Sequence, residues 1–246
     1  MKAGVFDSGV GGLTVVKSLL KRTLFDEIIY YGDTARVPYG SKDQNTIIRY
    51  SLETLEFFNN FDPDILIVAC NTASAYALNE LKNKAKFPVV GVIEPGVLAL
   101  QNSNIKKNDP VLVIGTNATI NSKTYQKLLF DLGFSNITAT PTPLLAPLVE
   151  EGILYGEIVD AVFRRYFANL GDFSAVIMGC THYPLMQNSL AKWFKNAKLL
   201  HSGEAIVEYL INNNLVKSRS AATKITYFAS ENVARLKEVA ERWIAI

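Results

Sequence analysis

Short apolar runs rich in β-branched residues alternate with amphipathic stretches along almost the whole chain, and this alternation limits the fold more than any other feature. The runs are Ala3 to Phe6, Ile28 to Tyr31, Ile65 to Ala69, Val89 to Ile93, Val111 to Ile114, Asn136 to Thr140, Ala175 to Met178 and Ile225 to Phe228. Between them, Leu13 to Leu20, Gln44 to Asn60 and Glu157 to Phe167 read as helices; in the second, Ile47, Ile48, Leu52, Leu55 and Phe58 fall near helical spacing. Strand, helix, strand is the order of parallel sheets, whose crossovers lay helices on the sheet faces. The expected class is α/β. With 246 residues, there is room for one large domain or two small ones.

A fixed offset favours two. Cys70 and Cys180 lie 110 residues apart, and each ends a β-like run opened by an Asp-containing turn, Asp62-Pro63-Asp64 in one case and Asp172-Phe173-Ser174 in the other. The same shift carries Asp7-Ser8-Gly9 onto Asn117-Ala118-Thr119, and Pro38-Tyr39-Gly40 onto the region Pro147 to Glu151. Three agreements at one offset predict two halves of similar architecture facing each other across a cleft. Glu94-Pro95-Gly96 and Ser202-Gly203 are the expected hinges, because Pro and Gly punctuate structure. Beyond about residue 205 come a helix, the strand at Ile225 and a last helix behind Ser230, a candidate N-cap.

Composition closes off other classes. Apolar types make 49% and charged types 20% of the chain, and the net charge is only +2 with both signs interleaved, so no face suited to nucleic acid or an anionic membrane is expected. No run approaches the roughly 18 apolar residues of a membrane span. Asp7 stands where a signal peptide would be hydrophobic, so the expected location is cytoplasmic. Two cysteines without paired spacing make neither a disulfide scaffold nor a zinc site, and no metal is expected.

In parallel sheets ligands gather beyond the carboxyl ends of the strands. Such positions here hold Asp7 to Gly12, Gly32 to Gly40, Cys70 to Ser74, Gly115 to Thr119 and Gly179 to Pro184, loops rich in hydroxyls, amides and backbone N–H groups that suit a small anion. The glycines after Asp7, with Asp33 downstream, invite a dinucleotide reading. It fails in detail, because with Gly9 and Gly11 as the first two glycines the third position falls on Thr14, and a tight turn into a helix explains the segment as well.

A free cysteine at a strand end is most often a small buried hydrophobe. Each cysteine here is followed by residues able to begin a helix, Asn71-Thr72 and Thr181-His182, and a helix N-terminus is expected to lower a thiol's pKa. Two thiols in matching halves then point to acid–base work on both faces of one carbon, one as thiolate base and the other as thiol acid. His182 sits two residues from Cys180, close enough to orient or deprotonate it, or simply to bond a helix start; Asp7 is the counterpart near Cys70, or a loop cap. Arg36 suits a carboxylate or a loop-fixing pair, Glu150 and Glu151 read as solvated charges before Gly152, and His201 shows no constellation.

Six separated segments resemble the glutamate racemases, the cofactor-independent members of the aspartate/glutamate racemase superfamily. They are Phe6 to Gly12, Gly32-Asp33-Thr34 with Val37-Pro38-Tyr39-Gly40, Ala69 to Ser74, Gly91 to Pro95, Gly115-Thr116 with Thr119-Ile120, and Gly179 to Pro184, in family order over most of the chain. The resemblance implies two pseudo-symmetric α/β domains, 1–94 with 206–246 and 95–205, each a mainly parallel sheet flanked by helices, with the active site between them. It implies interconversion of L- and D-glutamate without a cofactor, D-glutamate for peptidoglycan, and a homodimer. Cys70 and Cys180 would be the acid–base thiols, with Asp7 and His182 assisting. Ser8, Asp33, Pro38, Tyr39, Gly40, Asn71, Thr72, Thr116, Thr119, Glu150 and Thr181 would form the substrate site. Where many relatives carry an acid before Ser202-Gly203 this chain has His201, and an N-terminal extension that subjects some relatives to control by a cell-wall precursor is not expected here. The rivals are an aspartate racemase, decarboxylase or isomerase of the same superfamily, and a non-catalytic amino-acid or nucleotide-binding module.

Overall fold

In a computed structural model, which describes residues 1–216 and 222–244, nine strands form two wholly parallel sheets. The strands are β1 (Lys2–Asp7), β2 (Glu27–Gly32), β3 (Ile65–Val68), β4 (Val89–Gly91), β5 (Val111–Gly115), β6 (Ile137–Pro141), β7 (Ala175–Gly179), β8 (Lys198–His201) and β9 (Lys224–Ala229). The first sheet runs β4-β3-β1-β2-β9 and the second β6-β5-β7-β8. Reversed, the second order is β8-β7-β5-β6, which repeats the first without β9. The 110-residue offset is therefore an offset between equivalent strands: β2 begins at Glu27 and β6 at Ile137, β3 at Ile65 and β7 at Ala175.

The central strands β3, β5 and β7 are buried at every position, as parallel strands with helices on both faces must be, which is why they read as unbroken apolar runs. Around the first sheet, Leu13–Lys21 buries Leu13, Val15, Val16 and Leu19 on one face, while Gln44–Asn59 buries Ile47, Leu55 and Phe58 on the other. Each such side chain contributes about 1.5–3 kcal/mol through its removal from water. Around the second, Phe163, Phe167 and Leu190 form one core and Leu100, Tyr125 and Leu129 another. The C-terminal β9 pairs with β2 from Glu27↔Lys224 to Gly32↔Ala229, so the chain returns to its first sheet after completing the second. Residues 217–221 and 245–246, parts of the segment 206–246 assigned to the first half, lie outside the described residues.

Several local expectations need correction. Glu94-Pro95-Gly96, expected as punctuation between the halves, forms the first turn of the helix Ile93–Gln101, where proline's missing N–H leaves no bond unmade. Ser202-Gly203 likewise opens the helix Ser202–Asn212. The last helix, Val233–Ile244, begins behind Asn232, whose Oδ1 accepts from the N–H of Arg235 at 3.1 Å, and not behind Ser230. Strand β8 is absent from the sequence reading because it is an edge strand with little more than Leu199-Leu200 to mark it.

Candidate active site

Loops following strands of both sheets close around one cavity of about 150 Å3. From the first half come Ser8, Val37, Pro38, Tyr39, Gly40, Cys70, Asn71 and Thr72; from the second come Thr116, Ala146, Pro147, Glu150, Gly179, Cys180, Thr181 and His182. Both thiols are thus on its wall. Asp7, Asp33 and Thr119 are not: each is fully buried behind the lining, touching residues that form it.

The halves are tied together beneath the cavity. Thr14 Oγ1 donates to the carbonyl of Thr181 at 2.7 Å, and Thr181 Oγ1 donates to Asp7 Oδ2 at 3.3 Å. The approach needs Gly11, since a Cβ there would stand 2.6 Å from His182 Nδ1. The hydroxyls of Thr72, Thr116 and Thr119 lie 2.9–3.0 Å from one another, a triangle of donors with one corner in the first half and two in the second. The Tyr39 hydroxyl donates to Asp33, which also accepts from Arg36 Nε at 2.8 Å, and the Arg36 guanidinium lies 4.2 Å from the centre of the Tyr50 ring. Asp33 and Arg36 therefore fix the Tyr39–Gly40 segment at the mouth.

Cys70 is the N-cap of the helix Asn71–Tyr76; its sulfur accepts from the N–H of Ala73 at 3.5 Å and the thiol donates to Ser8 Oγ at 3.4 Å. The helix start does not prevail here. Burial and then the nearby charge of Asp7 push the Cys70 thiol up to about 12, against the smaller opposite pull of Ser8 and Ala73, so the expected lowering is corrected to a rise. Asp7 itself is raised by burial, restrained by the charge of His182 and by the N–H of Gly9 at 2.9 Å.

Cys180 is followed by a single 3-10 turn, Tyr183–Met186, rather than an α-helix, and its partner is a side chain. Its sulfur is 3.6 Å from His182 Nδ1, and His182 Nε2 is 2.9 Å from Glu150 Oε1. Burial disfavours a charged His182, but the bonds to Cys180 and then Glu150 outweigh it and raise the imidazole to about 10. Glu150 is lowered, first by the same bond. A protonated imidazole held between sulfur and carboxylate can donate a hydrogen bond to each.

The model of the Asp/Glu/Hydantoin racemase family matches residues 13–210. A glutamate racemase from a Nitratiruptor species is 59% identical over 245 residues, 99% of this chain and 96% of that one. The chain belongs to the Asp/Glu/hydantoin racemase family. Among solved structures, glutamate racemase from Campylobacter jejuni superposes with a TM-score of 0.98 at 52% identity, covering 100% of this chain and 99% of that one. Glutamate racemase from Francisella tularensis, solved in complex with D-glutamate, gives 0.87 at 33% identity over 100% and 94%.

Within this family member, three contributors escape the sequence reading. Ala146 lines the cavity from the helix Leu145–Glu150. Arg235 acts on Glu150 electrostatically, and the ring of Trp243 meets that of His182 edge-on with centroids 6.1 Å apart; both belong to the C-terminal helix. In sequence they are an ordinary helix arginine and core tryptophan, and only the return of the chain brings them here.

Proposed function

We propose that the protein is a glutamate racemase that interconverts L- and D-glutamate by two-thiol proton transfer at Cα and so supplies D-glutamate for peptidoglycan synthesis. One observation carries the mechanism: both cysteines, from equivalent strands of two sheets, line a single small cavity. Inverting Cα requires a base on one face and an acid on the other, and a pair of thiols from opposite halves supplies both. In one direction the Cys180 thiolate, partnered by His182, takes the α-proton while the Cys70 thiol gives its proton to the opposite face; afterwards the sulfurs have exchanged roles. Asp7 assists on the Cys70 side.

No cofactor is needed in this scheme, so the charge of the deprotonated carbon must be met by the protein. Thr72, Thr116 and Thr181, with Asn71, Ser8 and the Tyr39–Gly40 segment, offer short neutral donors to the two carboxylates, and Thr119 and Asp33 hold those donors from behind. Such preorganised donors in a closed site are the largest usual source of rate. We infer further that the enzyme works in the cytoplasm as a homodimer, with no nucleic-acid or membrane partner; none of the helices among the described residues is long and apolar enough to cross a membrane.

The direct test is incubation with L-glutamate, D-glutamate and L-aspartate, followed by polarimetry. Formation of the opposite glutamate enantiomer without added cofactor is expected. Turnover of aspartate alone would move the assignment to the sister activity, and binding without turnover would leave a binding module.

A further inference from the structure

Tyr125 reaches from the helix Thr124–Asp131 of the second half to the loops that carry both thiols. It is fully buried, and its hydroxyl donates to Asn71 Oδ1 at 2.7 Å; Asn71 directly follows Cys70 and lines the cavity. The edge of its ring lies against Gly179, the residue before Cys180, where a Cβ would stand 3.1 Å from Tyr125 Cε2. Beside it, Thr124 Oγ1 donates to the carbonyl of Ala75 at 3.4 Å, so the first turn of this helix grips the helix Asn71–Tyr76 twice.

The amide of Asn71 is constrained at both ends. Oδ1 accepts from Tyr125 and, at 3.4 Å, from Ser202 Oγ, while Nδ2 donates to Ser202 Oγ at 3.2 Å. Among the described residues the other Nδ2–H has no partner, and it belongs to a residue of the cavity wall. A primary amide can be turned end for end at little steric cost, exchanging a donor for an acceptor. Tyr125 opposes that turn, because a buried phenol remains an O–H and would be left with Ser202, its other hydrogen-bond partner, as acceptor.

We propose that Tyr125 is a positioning residue of the reaction. Its hydroxyl keeps the Asn71 amide with its free N–H toward a substrate carboxylate, and its ring sets the stand-off of the Cys180 loop. The inference rests on the glutamate racemase reading and adds to it the residue that fixes one of the donors. A tyrosine serving only to fill the core would make the same ring contacts but would not act through Asn71.

A double-mutant cycle separates the two. Tyr125→Phe keeps the ring and removes the donor, and is expected to raise KM for glutamate about fivefold to tenfold, the effect of one buried neutral hydrogen bond, with kcat changed less. In an Asn71→Ala background the same substitution should change KM less than about twofold. Ser202→Ala, which removes the amide's other partner, should raise KM in the same direction. An unchanged KM for Tyr125→Phe, or an equal rise in both backgrounds, overturns the inference while leaving the activity standing. A wild-type protein inactive on glutamate overturns the functional reading, and this inference with it.

Discussion

The two thiols occupy equivalent places in two similar sheets, yet their surroundings are opposites. Around Cys70 there are a buried carboxyl group, Asp7, and a neutral hydroxyl, Ser8, and the thiol is pushed up to about 12. Around Cys180 there is an imidazole raised to about 10 and anchored by Glu150. The surroundings of the two sulfurs are thus asymmetric, and in the proposed reaction this difference makes Cys70 the first acid and Cys180 the first base. Repetition of the fold brings two sulfurs to one cavity, and the residues that break the repetition, His182 opposite Thr72 and Asp7 opposite Asn117, give those sulfurs different neighbours.

The sharpest way to break this comparison is to remove a sulfur. Cys70→Ser and Cys180→Ser should each lower racemisation in both directions by about a thousandfold or more, since acid–base groups contribute roughly 10²–10⁴ each. Near-normal turnover in either variant would sink the two-thiol scheme. Next in size, His182→Asn should cost about 10²-fold in kcat and remove the basic limb that the wild-type rate profile is expected to show towards pH 10. A retained limb in that variant would assign it to another group.

Glu150→Gln should be milder, about tenfold, and should move that limb to lower pH, because the carboxylate is one of the groups that raise the imidazole. The charge on His182 also bears on stability. A histidine whose pKa is higher folded than unfolded stabilises fully below its unfolded value, about 6.5, and loses that contribution as pH rises through about 10. The melting temperature of wild type relative to His182→Asn should therefore fall between pH 6.5 and 10, and a constant difference would contradict the charged imidazole.

Much of this arrangement is legible in the sequence because buried parallel strands are written as continuous apolar runs and because a repeated fold repeats its spacing. Cys70, Cys180 and His182 can be found from those two signals and their local order. The elements misread are ones where local rules compete: Pro95 breaks most helices but begins this one, and β8 at a sheet edge carries little apolar pattern. The Cys70 thiol also runs against its local sign, because a six-residue helix start is outweighed by burial and Asp7. Tyr125 and Trp243 have no signal of their own. Each is a core aromatic by composition, and its effect on the site depends on which distant loop the fold sets beside it.

The central claim, two different groups acting on opposite faces of one carbon, is tested most directly by isotope placement at early times in deuterated water. Starting from either enantiomer of glutamate, the two-thiol site predicts deuterium at Cα of the product while recovered substrate keeps its proton, because the acid that reprotonates is a different, solvent-exchanged thiol. Deuterium accumulating in recovered substrate at the rate of product formation would mean that one group both removes and returns the proton, and would contradict the account.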